Sequence, residues 1–484
     1  MIKSLRSNYL KLPRQVKASI WFLICSVLER GITIITTPIF TRLLTTAEYG
    51  EFSVYNSWTS IISVIISMNL SYGVLTQGIV RNESKKNQFV SSLLGLSTAL
   101  IFAWFLIYFF LRDFWNGIFS LPTPQMIAMF CSIWASVCFS FWATSERVEY
   151  RYRKMVTLTL SLSVIRPIIE FIIITHTQDR VTNRIIGNAI ISVSVYMFLF
   201  FILLKRGKRL YSFEYWKYAL LFNIPLIPHY LSQVVLHSSD RIMINNMVGS
   251  TEAGIYTLAY TLSTVLLIIN RSINSTMEPW MYRKIRDGKA QDISKIVYPL
   301  FALVACLNLI VICFAPEIIA VFAPKVYYDA IWVIPPVAMS VFFQFTYVSF
   351  GVFEFYYKKT YFVTIATLMG ALVNIGLNFV FIPLFGYYAA GYTTLVCYMI
   401  FSFMHYLFMR KIVKDNLENT NVYPLTEFLI ISGVFCALGF ILLFTYKNIV
   451  LRYCFIIIGL ILSFINRHKL ISTVKSILQI RKIR

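Results

Sequence analysis

The stretch "LLTTAEYGEFSVYNS", residues 43–57, returns as "MVGSTEAGIYTLAYT" at residues 247–261. Glu48 aligns with Glu252, Gly50 with Gly254 and Phe52 with Tyr256, all at an offset of 204 residues. A weaker echo, "FGYYAAGYTTL", occupies residues 385–395. The E-x-G-x-aromatic pattern also fits any helix that starts after a turn. Its weight comes from its place: each copy falls in a short turn between the first and second members of a series of apolar runs. Matched halves in the same orientation imply a parallel repeat about an axis along the membrane normal.

Composition supports a membrane setting. Of 484 residues, 58% are hydrophobic and only 13% charged, and the mean hydropathy is +0.69. A soluble chain of this size lacks the polar surface to cover so much apolar side chain. Continuous apolar runs long enough for a bilayer recur from end to end, which excludes a β-barrel of short alternating strands. The fold expected is an all-α polytopic membrane protein with about fourteen transmembrane helices. Windows of apolar residues place them at 17–40, 50–79, 88–111, 124–145, 154–175, 184–204, 217–240, 254–280, 295–315, 328–353, 361–383, 387–409, 427–446 and 449–466. This gives an N-terminal lobe (1–210), a C-terminal lobe (211–412) and a final segment (413–484) with two helices and a basic tail. The N-terminal run reads as a retained first helix: it is long, interrupted by Glu29 and Arg30, and lacks a small-x-small cleavage site.

Charge tests the count. Of the 44 lysines and arginines, 33 fall at the two termini and in alternate loops, 8 in the intervening loops and 3 within spans. That asymmetry puts both termini in the cytoplasm. The net charge of +23 is then a membrane-surface signature, with no call for nucleic acid as a partner. In the tail, Leu470, Val474, Ile477 and Leu478 share a face opposite basic residues, as expected for a helix lying on the lipid surface. The eight cysteines all lie in apolar spans without a C-x-x-C, so neither a disulfide scaffold nor a zinc site is indicated. No loop exceeds about twenty residues under this span reading, and no phosphate loop, D-x-D or H-E-x-x-H motif occurs. A soluble catalytic domain has no room, and the chain is expected not to be an enzyme.

With "PIFTRLLTTAEYGEFSVYNSW" after a first helix, "SSDRIMINNMVGSTEAGIYTLAY" between the seventh and eighth, and fourteen spans, the sequence resembles the polysaccharide-exporting flippases. These form the O-antigen or capsule-type (Wzx) branch of the multidrug/oligosaccharidyl-lipid/polysaccharide exporter superfamily. The resemblance covers nearly the whole chain, on motifs that mark topology more than chemistry. It implies a V-shaped pair of helical lobes around a central cavity, working as a monomer. It also implies transfer of undecaprenyl-diphosphate-linked oligosaccharide from the inner to the outer leaflet of a bacterial cytoplasmic membrane, alongside other polysaccharide-assembly membrane proteins.

The residues carry their own argument. An arginine near mid-bilayer costs about 2.5–3.5 kcal/mol, so each needs a partner or an aqueous cavity. Arg30, Arg166 and Arg271 qualify. Arg30 and Arg271 lie at similar depth, about thirteen and twelve residues from the basic ends of their spans. On the first span, Ser26, Glu29, Arg30, Thr33, Thr36 and Thr37 fall within an arc of roughly 120°. On the eighth, Tyr260, Thr264, Arg271, Asn274 and Glu278 form a comparable stripe. Such faces suit a cationic, hydroxyl-rich cavity in which guanidinium groups grip a diphosphate and polar side chains bind sugar. Arg166 has a second reading: Glu170, one turn away across Pro167, offers an internal ion pair.

The segment "NIPLIPHYLSQVVLHSSDRIMI" (223–244) holds His229, Gln233, His237 and Asp240 within about 80° of one helical face. Pro225 and Pro228 predict a break or kink before it. The stripe reads as a pathway wall, and a His/carboxylate set is able to carry a proton if transport is coupled to a proton or sodium gradient. Asp240 near the outer end also admits a simple headgroup contact. Asn374 and Asn378 read as interhelical hydrogen-bonding residues. Two alternatives stay open beside the flippase: an ion-coupled drug exporter of the same superfamily, whose cationic cargo favours acidic cavities, and a polysaccharide polymerase or ligase, which calls for a long arginine-bearing outer loop.

Overall fold

The computed structural model describes residues 13–417 and 422–465, and within them every regular element is helical. The basic tail and the first twelve residues lie outside the described residues. In chain order the α-helices are α1 (Arg14–Leu43), α2 (Thr46–Ser67), α3 (Val74–Arg81), α4 (Lys86–Phe110), α5 (Arg112–Phe119), α6 (Thr123–Val148) and α7 (Tyr152–His176). Then come α8 (Arg180–Gly207), α9 (Phe213–Asn223), α10 (Ile227–Met247), α11 (Ser250–Ser263), α12 (Leu267–Arg286) and α13 (Ser294–Cys313). The series ends with α14 (Ala315–Phe322), α15 (Ile334–Tyr356), α16 (Thr360–Phe385), α17 (Tyr388–Asn416), α18 (Leu425–Phe444) and α19 (Ile449–Ile465).

Twelve helical segments among the described residues are long and apolar enough to cross a membrane, which makes the chain a multi-pass membrane protein. The expected count of fourteen also included 50–79 and 449–466. The first of these is not one continuous helix. α2 ends at Ser67, Met68 and Asn69 take left-handed backbone, and α3 begins at Val74. The second corresponds to α19, whose described part has 17 residues.

By internal contacts the chain divides into a unit of residues 1–242 and a unit of residues 243–484. In the first, α4, α6 and α8 pack around a core that includes Phe89, Leu93, Met129, Phe141 and Leu199. Close approach needs small residues: a Cβ on Gly95 would strike the Leu210 carbonyl, and one on Gly207 would strike Ser91. Ser91 Oγ then donates to the Arg209 carbonyl (2.8 Å) and pins the α8–α9 turn on α4. In the second unit the central element is α15, predominantly apolar and almost wholly buried against α13 and α17.

The repeat motif has a physical basis. α2 starts at Thr46 and α11 at Ser250, 204 residues apart. Glu48 and Glu252 therefore occupy the same third position of their helices. Thr45 and Glu48 form a reciprocal capping box, with Thr45 N donating to Glu48 Oε2 (2.8 Å) and Glu48 N to Thr45 Oγ1 (3.2 Å). In the second copy Gly249, at φ 153°, replaces the hydroxyl cap, and the Glu252 carboxylate folds back over it. Both copies therefore open a helix with a glutamate in its first turn, as the generic helix-start reading expects.

Broken helices recur where the spans carry polar residues. The seventh span is interrupted by a 3-10 turn at Ile224–Leu226, as Pro225 and Pro228 predicted. The eighth is interrupted by another at Thr264–Leu266. The break after α2 is held by Asn223, fully buried, whose Nδ2 donates to the Met68 and Asn69 carbonyls at 2.9 and 3.0 Å. The Met68 carbonyl has lost its helical partner and the Asn223 amide replaces it, while the Asn69 carbonyl also accepts from Tyr72 N (3.0 Å). Asn223→Ala is expected to lower stability by about 1–3 kcal/mol, and Thr45→Ala by about 1 kcal/mol. Thermal unfolding of the purified protein orders the two.

Candidate functional site

In the first unit, α1 lies along α7, and α7 along α8. This brings together polar side chains from three spans. Arg166, half-buried on α7, donates through Nη2 to Ser192 Oγ and to the Tyr196 hydroxyl of α8, both at 3.1 Å. Its guanidinium carbon stands 5.7 Å from the Tyr196 ring centroid. Arg166 Nε is buried and meets no acceptor among the described residues. Glu29 of α1 is exposed and lies within electrostatic reach of Tyr196 and of Arg147. A guanidinium and a phenol therefore meet between α7 and α8, with the exposed Glu29 on the adjoining α1.

The Arg166–Glu170 pair anticipated from spacing is not formed. Glu170 binds Arg184 of α8 instead, with Nη2–Oε2 at 2.6 Å and Nε–Oε2 at 2.8 Å, and both side chains are buried. Arg184 is sandwiched by aromatics, 3.7 Å from the Phe52 centroid and 4.3 Å from that of Phe40. The reason is depth and direction. Pro167 interrupts the local α7 ladder, while Arg184, one turn into α8, reaches Glu170 from across the interface. Arg184 stands at the first position of the expected span 184–204, where a charge at a span end draws no notice. The available signal was Glu170 itself, an acid deep in a span that requires a base from some neighbour.

On α1, Arg30 is half-buried, while Thr33 and Ser26 are exposed and Thr37 is buried. The Thr33 hydroxyl donates to the Glu29 carbonyl (3.1 Å), and the Thr33 carbonyl accepts from Thr36 (3.1 Å) and Thr37 (2.8 Å). These side chains satisfy themselves along the helix and keep lone pairs for an incoming donor. The expected face is therefore split: its outer end is packed and its middle open.

The eighth-span stripe is also split, by the turn at Thr264–Leu266. Tyr260 and Thr264 are buried in the second unit, the Thr264 hydroxyl donating to the Tyr260 carbonyl (2.8 Å). Beyond the turn, Arg271 is exposed and Asn274 half-buried. Arg271 lies within electrostatic reach of Tyr347 on α15. Asn274 Oδ1 is a buried acceptor with no donor among the described residues. Glu278 accepts from Tyr282 (3.0 Å).

His229, Gln233 and His237 are each half-buried along α10. Asp240 is fully buried, which overturns the headgroup-contact reading for it. Arg241 turns back along the helix and donates to the His237 carbonyl (2.6 Å).

Two polar side-chain pairs in the second unit had no precursor in the spacing analysis. Glu354 of α15 meets His405 of α17, Oε1 to Nδ1 at 2.7 Å. Arg452 of α19 binds Glu317 of α14, with Tyr453 donating to the same carboxylate (3.0 Å). The second contact docks α19 onto α14.

Breaking the Glu170–Arg184 pair from one side is expected to cost about 3–5 kcal/mol, because a buried charge is left alone. The single change Glu170→Leu should lower the unfolding temperature more than the double change Glu170→Leu/Arg184→Met. Thermal unfolding of the purified variants measures it.

Comparison with known proteins now adds to this geometry. Residues 16–285 match the model of the family described as polysaccharide biosynthesis protein. Among curated relatives, "Lsg locus putative protein 1" of Haemophilus influenzae is 22% identical over 291 residues, 56% of this chain and 67% of that protein. A second protein of the same organism, described as an uncharacterized membrane protein, is 20% identical over 375 residues, 75% of this chain and 89% of that one. Among solved structures, the lipid II flippase MurJ in an inward closed conformation superposes with a TM-score of 0.60 at 15% identity, covering 90% of this chain and all of that one. The Vibrio cholerae MATE transporter VcmN in its bent form gives 0.53 at 14% identity, over 85% of this chain and 98% of the other. A superfamily transporter from Pyrococcus furiosus gives 0.57 at 12% identity, over 84% and 97%. The chain belongs to the polysaccharide biosynthesis protein family and has the fold of the multidrug/oligosaccharidyl-lipid/polysaccharide exporter superfamily.

Proposed function

We propose that this protein is a flippase that moves an undecaprenyl-diphosphate-linked oligosaccharide from the inner to the outer leaflet of a bacterial cytoplasmic membrane, by alternating access. It acts without chemistry on the cargo, as a monomer, beside other membrane proteins of polysaccharide assembly. Its working halves are residues 1–210 and 211–412, with 413–484 appended and both termini cytoplasmic. The observation that carries the reading is the set of guanidinium-bearing polar faces on α1, α7 and α12, each part of a segment long and apolar enough to cross a membrane. A charge in such a helix requires water or an anionic partner, and the family supplies the biological setting of polysaccharide synthesis.

Arg30 and Arg271 grip the diphosphate, each guanidinium offering a planar fork of donors to phosphate oxygens. Arg166 is already engaged by Ser192 and Tyr196, so it shapes the wall and contributes its field. Thr33 and the undonated Asn274 Oδ1 meet sugar hydroxyls. His229, Gln233 and His237 of α10 and Glu29 of α1 line the route, with Asp240 enclosed behind the α10 face as a further group for ion coupling. The break at Ile224–Leu226 is where that face bends between states.

A drug exporter of the same fold is the second reading, favoured by the exposed carboxylate of Glu29. The two differ in the sign of the cargo. Purified protein in liposomes is expected to protect a fluorescent polyprenyl-diphosphate-oligosaccharide from enzymes added outside. Arg30→Ala and Arg271→Ala should each slow this at least about tenfold, since a hydrogen bond to a charged group contributes about 1.5–3 kcal/mol. Wild-type protein that leaves this lipid in place yet exports organic cations would overturn the flippase in favour of the exporter.

A further inference from the structure

At the end of α8 the sequence "KRGKR" (205–209) sets four cations around one glycine, and the fold uses them in two different ways. Arg206 binds the buried Glu146 of α6, Nη1 to Oε1 at 2.8 Å. Arg209 stays against the turn: its Nε donates to the Tyr211 carbonyl (3.3 Å), and its guanidinium carbon stands 5.9 Å from the Tyr215 ring centroid. Lys86 of α4 and Arg151 of the α6–α7 turn both close on Glu149. Lys205 and Lys208 are exposed and form no ion pair among the described residues. These two lysines line a cavity of about 560 Å³ whose other walls are Phe201, Leu204 and Leu210.

The turn that carries the lysines is fastened to α4. Besides the Gly207 and Ser91 contacts described above, Trp216 Nε1 donates to the Ser92 carbonyl (2.9 Å), and Tyr211 packs edge-on against Trp216 with centroids 4.9 Å apart. Lys208 takes the left-handed conformation at φ 53°, and its N–H closes the helix on the Leu204 carbonyl (2.7 Å). Glycine is the usual residue at such a helix end; here a lysine holds it, on the wall of the cavity. Phe198, Phe201 and Lys205 share one face of α8 within roughly 60°, and both phenyl rings are exposed. α8 is long and apolar enough to cross a membrane, so an apolar stripe runs along the span and ends at the two ammonium groups.

We propose that this cavity binds an anionic phospholipid of the bilayer, its phosphate held between Lys205 and Lys208 and its acyl chain laid along Phe201 and Phe198. Each ammonium offers three donors and a full positive charge to the phosphate oxygens. The turn belongs to the positively charged set of loops expected on the cytoplasmic side, where anionic lipids attract lysines next to a span. A zwitterionic lipid brings the same chain and phosphate, but its own ammonium competes with the lysines, so a net negative headgroup is selected. The lipid fastens the last turn of α8 to the segment that joins the proposed halves 1–210 and 211–412. None of these residues belongs to the proposed cargo route, and the site stands whether or not the protein is a flippase.

The test is native mass spectrometry of the full protein, titrated in detergent micelles with dioleoyl phosphatidylglycerol or dioleoyl phosphatidylcholine. Wild type is expected to retain phosphatidylglycerol in preference to phosphatidylcholine. Lys205→Gln/Lys208→Gln should bind phosphatidylglycerol about thirtyfold more weakly, near fivefold for each lysine. Lys205→Arg/Lys208→Arg should keep the preference, which separates lost charge from disturbed folding. Lys217→Gln removes an exposed lysine of α9 that does not line the cavity and should leave binding unchanged. Equal retention of the two lipids by wild type overturns the site. A loss in Lys217→Gln as large as in the double variant also overturns it, since diffuse surface charge then accounts for the binding. Displacement of the bound phosphatidylglycerol by an equimolar polyprenyl diphosphate would assign the cavity to the cargo lipid and overturn the phospholipid reading.

Discussion

A guanidinium in an apolar span cannot be left without acceptors, and much of this molecule follows from meeting that requirement. Arg184 is sandwiched between Phe40 and Phe52 and joined to Glu170, which ties α1, α2, α7 and α8 together at one level. With Glu170 already taken, Arg166 turns to Ser192 and Tyr196 and fixes the α7–α8 contact at a second level. Arg452 does the same for α19 through Glu317. Arginines of this kind hold helices together. Arg271 differs, since its guanidinium is exposed and its neighbour Asn274 has an unused acceptor. The arginines that join helices are thus buried or half-buried against protein partners, whereas Arg271, proposed above to meet the cargo, is exposed.

The second constraint is the backbone. Where a span is broken, carbonyls lose their partners, and a side chain from elsewhere must replace them. Asn223 performs this for the end of α2 while itself standing at the end of α9, just before the turn at Ile224–Leu226. Two breaks within the first unit are therefore tied by one amide. A displacement of the end of α9 would act on the α2–α3 turn directly.

Much of this was readable from periodicity and charge. The motif at 43–57 and 247–261 marks helix starts 204 residues apart, with a glutamate in the first turn of each helix and a closed capping box in the first copy. The prolines at 225 and 228 place the break in the seventh span. What spacing along one helix does not reveal is a partner on another. Glu170 was matched to Arg166 four residues away, whereas its real partner lies fourteen residues on, in the next helix. Glu354 and His405, 51 residues apart, left no local pattern at all. The run at 50–79 read as one helix because its turn residues, Met68 and Asn69, are as compatible with a span as with its interruption. Asp240 looked peripheral by its count from the span end, and tertiary packing buries it instead.

The central claim is that the open polar residues of α1 and α12 face an aqueous, cargo-bearing route and not lipid. Accessibility of single cysteines tests it directly, in a background where the eight native cysteines are replaced. Thr33→Cys and Asn274→Cys in intact membranes are expected to react with a membrane-impermeant maleimide, and to be shielded when lipid-linked oligosaccharide is supplied. Ile35→Cys and Ile172→Cys, on exposed apolar positions of α1 and α7, are expected to stay unreacted. If Thr33→Cys and Asn274→Cys proved as inert as these two, the polar faces would be lipid-facing or closed, and the account of a basic transport route would be contradicted.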